Sequence, residues 1–189
     1  DVREVLLDAL ELLEYRGYDS AGIAVEDSAS GQVKVCKCAG RVKDLRLICE
    51  AEKFITDCGI GHTRWATHGG VNDTNAHPHQ VGKVTLVHNG IIENYRELIA
   101  DYELENVLQT ETDSEVVAAL MDRFYQGDAE RAIRKTVSKL KGTFALVILF
   151  QDRPGEIYSI RNVSPIVATL CSEGAMLASD LTALCRFTN

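Results

Sequence analysis

The spacing of apolar residues changes between helical and strand periods along the first half of the chain. From Val2 to Leu13 apolar residues recur at intervals of three and four, which predicts an amphipathic helix that ends before Gly17. The pattern then predicts strands over Ser20–Glu26 and Gln32–Lys37, a helix over Arg41–Phe54, a strand over Gly59–Thr63, a loop over Thr67–Gly82 and a strand over Lys83–His88. The first two strands are close enough in sequence to form a hairpin.

The second half of the chain combines helices with more continuously apolar strands. The pattern predicts helices over Glu93–Leu104, Asp113–Tyr125 and Asp128–Lys141, followed by strands over Thr143–Phe150, Glu156–Arg161 and Pro165–Leu170. Thr112 and Glu115 have the spacing of a capping box before the middle helix. This order of elements predicts an α+β fold, with helices layered on sheets, in a single domain.

Composition narrows the class of protein. The 189 residues include 20 Lys and Arg and 28 Asp and Glu, a formal net charge of −8, so we expect no nucleic-acid partner. The longest apolar run, Phe144–Phe150, is much shorter than the roughly 20 residues of a membrane helix, so we expect no membrane span. Six irregularly spaced cysteines predict reduced thiols and a cytoplasmic location.

All five histidines lie between positions 62 and 88, at His62, His68, His77, His79 and His88. Imidazoles gathered in this way are candidate metal ligands, with His62, His77 and His79 the nearest to a ligand set. The alternative is packing and hydrogen bonding within a loop. Because the chain has no HExxH motif, we favour the alternative and predict neither a metal nor a cofactor.

Arg64 and Trp65 stand where a predicted strand is followed by a glycine-containing loop. A guanidinium can hold a carboxylate through two hydrogen bonds, and an indole can cover an aliphatic chain, so the pair suits a small amino acid. The alternative is a surface salt bridge beside a half-buried tryptophan.

Asn89, Gly90 and Asp113 each allow two interpretations. Asn-Gly after a strand is typical of a type I′ hairpin turn, although the residues that follow have a helical pattern. In the functional interpretation, the Asn89 amide and the Gly90 backbone N–H stabilise a developing oxyanion. Asp113 either caps the predicted helix or pairs with the ammonium group of a ligand.

Taken together, five stretches of the chain closely resemble one family. They are Glu14-Tyr15-Arg16-Gly17-Tyr18-Asp19-Ser20-Ala21-Gly22, His62-Thr63-Arg64-Trp65-Ala66-Thr67-His68-Gly69, Asn75-Ala76-His77-Pro78-His79, His88-Asn89-Gly90-Ile91-Ile92-Glu93-Asn94 and Glu111-Thr112-Asp113. The family is glutamine:fructose-6-phosphate aminotransferase (isomerising), or glucosamine-6-phosphate synthase. The resemblance lies in its glutaminase domain, a class II glutamine amidotransferase.

This resemblance implies an N-terminal-nucleophile hydrolase fold, a four-layer αββα sandwich of two antiparallel sheets. It also implies hydrolysis of L-glutamine by an N-terminal cysteine whose α-amino group is the general base, with ammonia passed to a sugar-isomerase domain that holds fructose 6-phosphate. Asn89 and Gly90 match the oxyanion hole, and Arg64 and Asp113 match the groups that bind the glutamine carboxylate and ammonium. Further matches are Trp65, Thr67, His68 and His77 to the pocket lining and Arg16 to a position near the nucleophile.

The chain departs from the family pattern at both ends. It starts at Asp1, in the family's first helix, so we expect residues 1–189 to be a partial glutaminase domain, truncated at both ends, without the nucleophile strand and the isomerase domain. We expect this fragment to bind glutamine weakly without turnover and to expose a sheet edge, whereas the full-length protein is expected to be a homo-oligomer. The alternatives are a non-catalytic glutamine-binding module and a metal-dependent hydrolase built on the histidines.

Overall fold

The computed structural model describes residues 2–52, 55–171 and 174–187. Its regular elements are α1 (Val2–Leu13), β1 (Ser20–Asp27), β2 (Gln32–Ala39), α2 (Val42–Ala51), β3 (Gly59–Arg64), β4 (His79–Val81), β5 (Val84–Ile92), α3 (Tyr95–Asp101), α4 (Asp113–Phe124), α5 (Ala129–Val137), β6 (Gly142–Phe150), β7 (Tyr158–Asn162), β8 (Val167–Cys171) and β9 (Gly174–Ala178). Single 3₁₀ turns cover Glu14–Arg16 and Leu181–Ala183.

The strands form antiparallel sheets. One sheet has the order β2-β1-β3, a second has the order β4-β5-β6-β7, and β8 pairs with β9. Strands β5 and β6 pair along their whole length, from Val84 opposite Phe150 to Ile92 opposite Gly142. This long central pair fixes the register of the second sheet.

Three apolar layers hold the elements together. Helices α1 and α2 bury Leu10 and Leu45 against Ile23 on one face of the β2-β1-β3 sheet. The opposite face of that sheet meets the β4-β5-β6-β7 sheet in a small core that includes Ile60 and Leu149. The largest core lies between the outer face of the second sheet and helices α3, α4 and α5. The order of layers is therefore helix, sheet, sheet, helix, which confirms the predicted αββα sandwich.

The pattern-based helices are longer than the observed ones because tertiary contacts end them. The helix predicted over Glu93–Leu104 begins only at Tyr95, since the Asn94 side chain accepts a hydrogen bond from the backbone N–H of Lys141 at 2.9 Å and donates one to the Lys139 carbonyl at 2.9 Å. The helix predicted over Arg41–Phe54 ends at Ala51, and Phe54 lies outside the described residues.

Two short strands have no counterpart in the prediction. Strand β4 lies inside the segment predicted as the loop Thr67–Gly82, and β9 follows β8 where no strand was expected. Each is only three to five residues long, and each is extended because it pairs with an adjacent strand, β4 with β5 and β9 with β8. Such short elements carry little periodic signal of their own.

The predicted capping box before α4 is only half formed. Thr112 is the N-cap, and its hydroxyl accepts a hydrogen bond from the Glu115 backbone N–H at 3.3 Å. The Glu115 carboxylate, however, accepts from the backbone N–H groups of Gln109 and Thr110 at 3.0 and 2.7 Å. The preceding loop therefore occupies the carboxylate that a capping box would direct at the Thr112 N–H.

No helix in the described ranges is both long and apolar enough to cross a membrane. All six cysteines carry free thiols, and Cys36, Cys38, Cys49 and Cys58 are buried. The prediction of unpaired cysteines is therefore confirmed.

Candidate active site

A cavity of about 890 Å³ opens between α1, β3, the ends of β5 and β6, and the β8-β9 hairpin. Its lining includes every site residue that the family resemblance implies: Arg16, Arg64, Trp65, Thr67, His68, His77, Asn89, Gly90 and Asp113. Residues far apart in sequence thus line one cavity, and the volume of this cavity is in the range typical of ligand-binding sites.

Arg64 lies at the end of β3 and is only 4% exposed. Its guanidinium donates hydrogen bonds to the carbonyl oxygens of His68, Gly69 and Gly70, the last two at 3.3 and 3.2 Å. Burial lowers the pKa of the Arg64 side chain, while Asp19 and Asp113 act in the opposite direction. The alternative of a surface salt bridge is therefore wrong, because the side chain is buried and bonds to backbone carbonyls.

Asp113 is the first residue of α4 and is 4% exposed. The cap of the helix is Thr112, so the expectation that Asp113 caps α4 is wrong. The Asp113 carboxylate instead accepts a hydrogen bond from the backbone N–H of Ile92 at 2.8 Å, and its Oδ2 lies 4.0 Å from Nδ1 of His88. These contacts fix a buried acidic group beside the end of β5.

Asn89 and Gly90 lie within β5, opposite Ala145 and Phe144 of β6. The type I′ turn is therefore wrong, because long-range pairing with β6 extends the strand through the Asn-Gly pair. Gly90 has a φ of 142°, and a Cβ added there would lie 2.0 Å from the carbonyl oxygen of Thr143. Only glycine fits this close approach of two strands.

Three histidine rings contact one another in a cluster. The His62 and His77 ring centroids are 4.3 Å apart, and those of His77 and His79 are 4.5 Å apart. Burial lowers the pKa of His62 to about 3, with further contributions from His88 and Arg64, and burial also lowers the pKa of His77 and His79. The three imidazoles are therefore neutral at physiological pH.

In residues 2–52, 55–171 and 174–187, no group of three or more His, Cys, Asp or Glu side chains is arranged to hold a metal ion. The contacts within the histidine cluster are a tilted pair of rings, His62 with His77, and an edge-on pair, His77 with His79.

Trp65, Thr67 and His68 line another part of the cavity. Trp65 is 60% exposed and meets the Tyr18 ring edge-on, at 5.8 Å between centroids. Thr67 is exposed, and the His68 ring contacts Tyr95 edge-on at 5.5 Å. Trp65 and Thr67 therefore form a solvent-exposed part of the cavity lining.

Comparison with known proteins decides the family. The family model for the glutamine amidotransferase domain matches residues 62–186, about two thirds of the chain. The chain belongs to the glutamine amidotransferase family. That match includes Arg64, Asn89, Gly90 and Asp113 of the cavity.

Curated relatives of this amidotransferase chain share a more specific description. The glutamine–fructose-6-phosphate aminotransferase (isomerising) of Geobacillus kaustophilus is 46% identical over the whole chain, and that of Bacillus subtilis is 45% identical over the whole chain. The matched region is 32% of each relative. The chain therefore spans about a third of the length of the curated relatives it matches.

Solved structures support the same fold. The glutamine phosphoribosylpyrophosphate amidotransferase of Bacillus subtilis superposes with a TM-score of 0.80 at 25% identity, over 96% of this chain and 40% of the other. A structure described as the allosteric regulatory enzyme of purine biosynthesis superposes with a TM-score of 0.83 at 26% identity, over the same shares of each chain. These likenesses agree with the predicted N-terminal-nucleophile hydrolase fold.

Two residues that sequence reasoning did not single out contact side chains that line the amidotransferase cavity or a neighbouring ring. Asp180 accepts hydrogen bonds from the Tyr15 hydroxyl at 3.1 Å and from Arg16 at 3.4 Å, which ties Arg16 to the segment after β9. Ser114 lies 2.9 Å from Nδ1 of His88. Neither residue belongs to a recognisable motif, and the sequence offers no signal for either contact.

Cys58 also lines the cavity, yet it is not an activated thiol. Burial raises the pKa of Cys58 to about 12, and Glu26 acts in the same direction. Because a thiol of that pKa is protonated at neutral pH, Cys58 is a poor nucleophile.

Proposed function

We propose that this chain binds L-glutamine in the 890 Å³ cavity and forms the glutamine-hydrolysing part of a glucosamine-6-phosphate synthase. The observation that supports the proposal is that four residues line the same cavity: Arg64 and Asp113, which are buried and of opposite charge, and Asn89 and Gly90. An amino acid carries a carboxylate, an ammonium and, in glutamine, a reactive amide, so this set offers one partner for each.

In this proposal Arg64 binds the α-carboxylate of glutamine. A guanidinium has five N–H donors, and the carbonyls of residues 68–70 take three of them. Two donors remain for the substrate carboxylate. Asp113, held by the Ile92 N–H, binds the α-ammonium, so that the two charges orient the ligand between them.

The amide group of glutamine then points toward Asn89 and Gly90. Attack of a thiolate on the amide carbon places negative charge on the carbonyl oxygen, and the Asn89 side-chain N–H and the Gly90 backbone N–H stabilise that charge. When the tetrahedral intermediate collapses, the C–N bond breaks, and the α-amino group of the nucleophilic cysteine gives the proton it took from the thiol to the nitrogen, which leaves as ammonia. Water then hydrolyses the thioester to glutamate and the free thiol.

We further propose that the nucleophile is an N-terminal cysteine on an extended segment outside the 189 residues. Among the described strands, β3 pairs only with β1, so its second edge has no partner strand. Apolar side chains of α1 and β9, such as Leu6 and Leu177, line the cavity beside β3. A strand added at this edge could form backbone hydrogen bonds with β3 and pack against these apolar side chains.

The six free thiols favour a reducing compartment such as the cytosol for this enzyme.

Glutamine binding is measurable directly, because Trp65 is the single tryptophan and lines the cavity. We expect added L-glutamine to change Trp65 fluorescence saturably, and Arg64→Ala to weaken binding. Arg131→Ala, on the exposed side of α5, is the matched control and should bind as the wild type does. No saturable response in the wild type would refute glutamine as the ligand.

Turnover requires a cysteine-bearing extension. We expect residues 1–189 alone to release no ammonia from glutamine, and the chain extended at its N terminus by a strand that begins with cysteine to release it. In the extended chain Arg64→Ala should mainly raise KM, whereas Asn89→Ala should lower kcat by roughly 10²- to 10³-fold. Binding without turnover in the extended chain would favour a non-catalytic glutamine-binding module instead.

A further inference from the structure

The Asn75 side chain forms a buried link between two segments that border the cavity. It is 2% exposed, and its Nδ2 donates hydrogen bonds to the carbonyl oxygen of Gly70 at 3.0 Å and to Oε2 of Glu111 at 3.2 Å. Its Oδ1 accepts a hydrogen bond from the Glu111 backbone N–H at 3.1 Å. The amide thus uses donors and acceptor together, which the isosteric aspartate cannot do.

Glu111 completes this link from the other side. Its Oε2 also accepts a hydrogen bond from the Gly70 backbone N–H at 3.2 Å. The Gly70 and Asn75 donors hold the pKa of the Glu111 carboxyl below its usual range, so it is charged at neutral pH. Two residues later in the chain stands Asp113, the proposed ammonium partner.

The same loop is held by Arg64. The Gly70 carbonyl accepts from both Arg64 and Asn75, and the His68 and Gly69 carbonyls accept from Arg64 as well. A Cβ added at Gly69, whose φ is 77°, would lie 2.8 Å from Nδ2 of Asn75. The segment 68–70 is therefore packed directly against the link, and its position sets which Arg64 donors face the cavity.

We infer that Asn75 and Glu111 are positioning residues for glutamine binding: they fix residues 68–70 so that the Arg64 guanidinium keeps its orientation toward the ligand carboxylate. This inference rests on the proposed function. Neither side chain needs to touch glutamine, because each acts through the loop that Arg64 contacts.

The decisive variant is Asn75→Asp, which keeps the shape of the side chain but cannot donate to Gly70 or Glu111. It also sets two carboxylates against each other. We expect the glutamine Kd, measured by Trp65 fluorescence, to rise about tenfold. Asn106→Asp, the same change on an exposed turn, is the matched control and should leave the Kd unchanged.

A second variant separates a specific link from general destabilisation. In Asn75→Asp combined with Glu111→Gln, the new glutamine amide can donate to the new carboxylate, so the direction of the hydrogen bond is reversed and the repulsion removed. We expect this double variant to bind glutamine at least roughly threefold more tightly than Asn75→Asp alone. Equal Kd values for the single and double variants would overturn the inference, as would a single variant that binds like the wild type.

Amide hydrogen exchange gives a measurement that does not depend on glutamine. If the link holds the loop, exchange at Gly70 accelerates in Asn75→Asp while exchange at Leu149 in the β6 core stays at the wild-type rate. Unchanged exchange at Gly70 would overturn the link itself. Failure of the wild type to bind glutamine, by contrast, would overturn the proposed function and with it the role in binding, whatever Gly70 shows.

Discussion

Acid should destabilise this domain through its histidine cluster, and His62 allows the size of the effect to be worked out. The His62 ring stacks on His77, and burial lowers the pKa of His62 to about 3 in the folded protein. In the unfolded chain a histidine titrates near 6.5. The unfolded state therefore binds a proton that the folded state does not bind between these two pH values.

The sign and magnitude follow from proton linkage. Because the unfolded state carries the extra proton, the contribution of His62 to stability is fully present above pH 6.5 and is lost progressively as the pH falls toward 3. Each pH unit below 6.5 costs about 1.36 kcal/mol, so His62 alone costs about 2 kcal/mol between pH 8 and pH 5. Burial lowers the pKa of His77 and His79 as well, so they act in the same direction. Against a typical total of about 5–15 kcal/mol, this loss is large.

The test compares urea unfolding of the wild type and His62→Gln at pH 8 and pH 5. All other titrating groups are common to the two proteins, so the difference between their pH dependences isolates His62. We expect the wild type to lose about 2 kcal/mol more than the variant on acidification. The reasoning would be refuted if the two proteins lost the same free energy of unfolding, within about 0.5 kcal/mol.

Three further substitutions test the geometry of single positions by chemical or thermal unfolding. Gly90→Ala places a Cβ against the Thr143 carbonyl and should lower the free energy of unfolding by about 3 kcal/mol or more. The control Gly127→Ala has a φ of 87° but open space around it, so it should lower the free energy of unfolding by only about 1–2 kcal/mol. Equal losses in the two variants would contradict the close approach at Gly90. Val163 is a β-branched residue with a φ of 71°, so Val163→Gly should stabilise the protein by about 1 kcal/mol, and a lower melting temperature would count against this strain. Thr112→Ala removes the N-cap of α4 and should cost about 1 kcal/mol, a value that an unchanged denaturation midpoint would disprove.

Local sequence determined the family and the residue types of the site. Helical and strand periods located most elements, because apolar spacing reflects which face of each element is buried. The motifs around Arg64, Asn89 and Asp113 pointed to one amino-acid site, and all of the predicted site residues line one cavity. Motifs carry this information because each chemical role restricts the residue type at its own position.

Only the tertiary structure decided how those residues are held. Asn89-Gly90 has the local signal of a turn, but pairing with β6, more than 50 residues later, makes it part of a strand. Arg64 bonds to the carbonyls of its own following loop, and Asn75 meets Glu111 across 36 positions of sequence. Such contacts depend on which segments the fold brings side by side. The order of residues along the chain does not give the spatial distance between segments that are far apart in sequence.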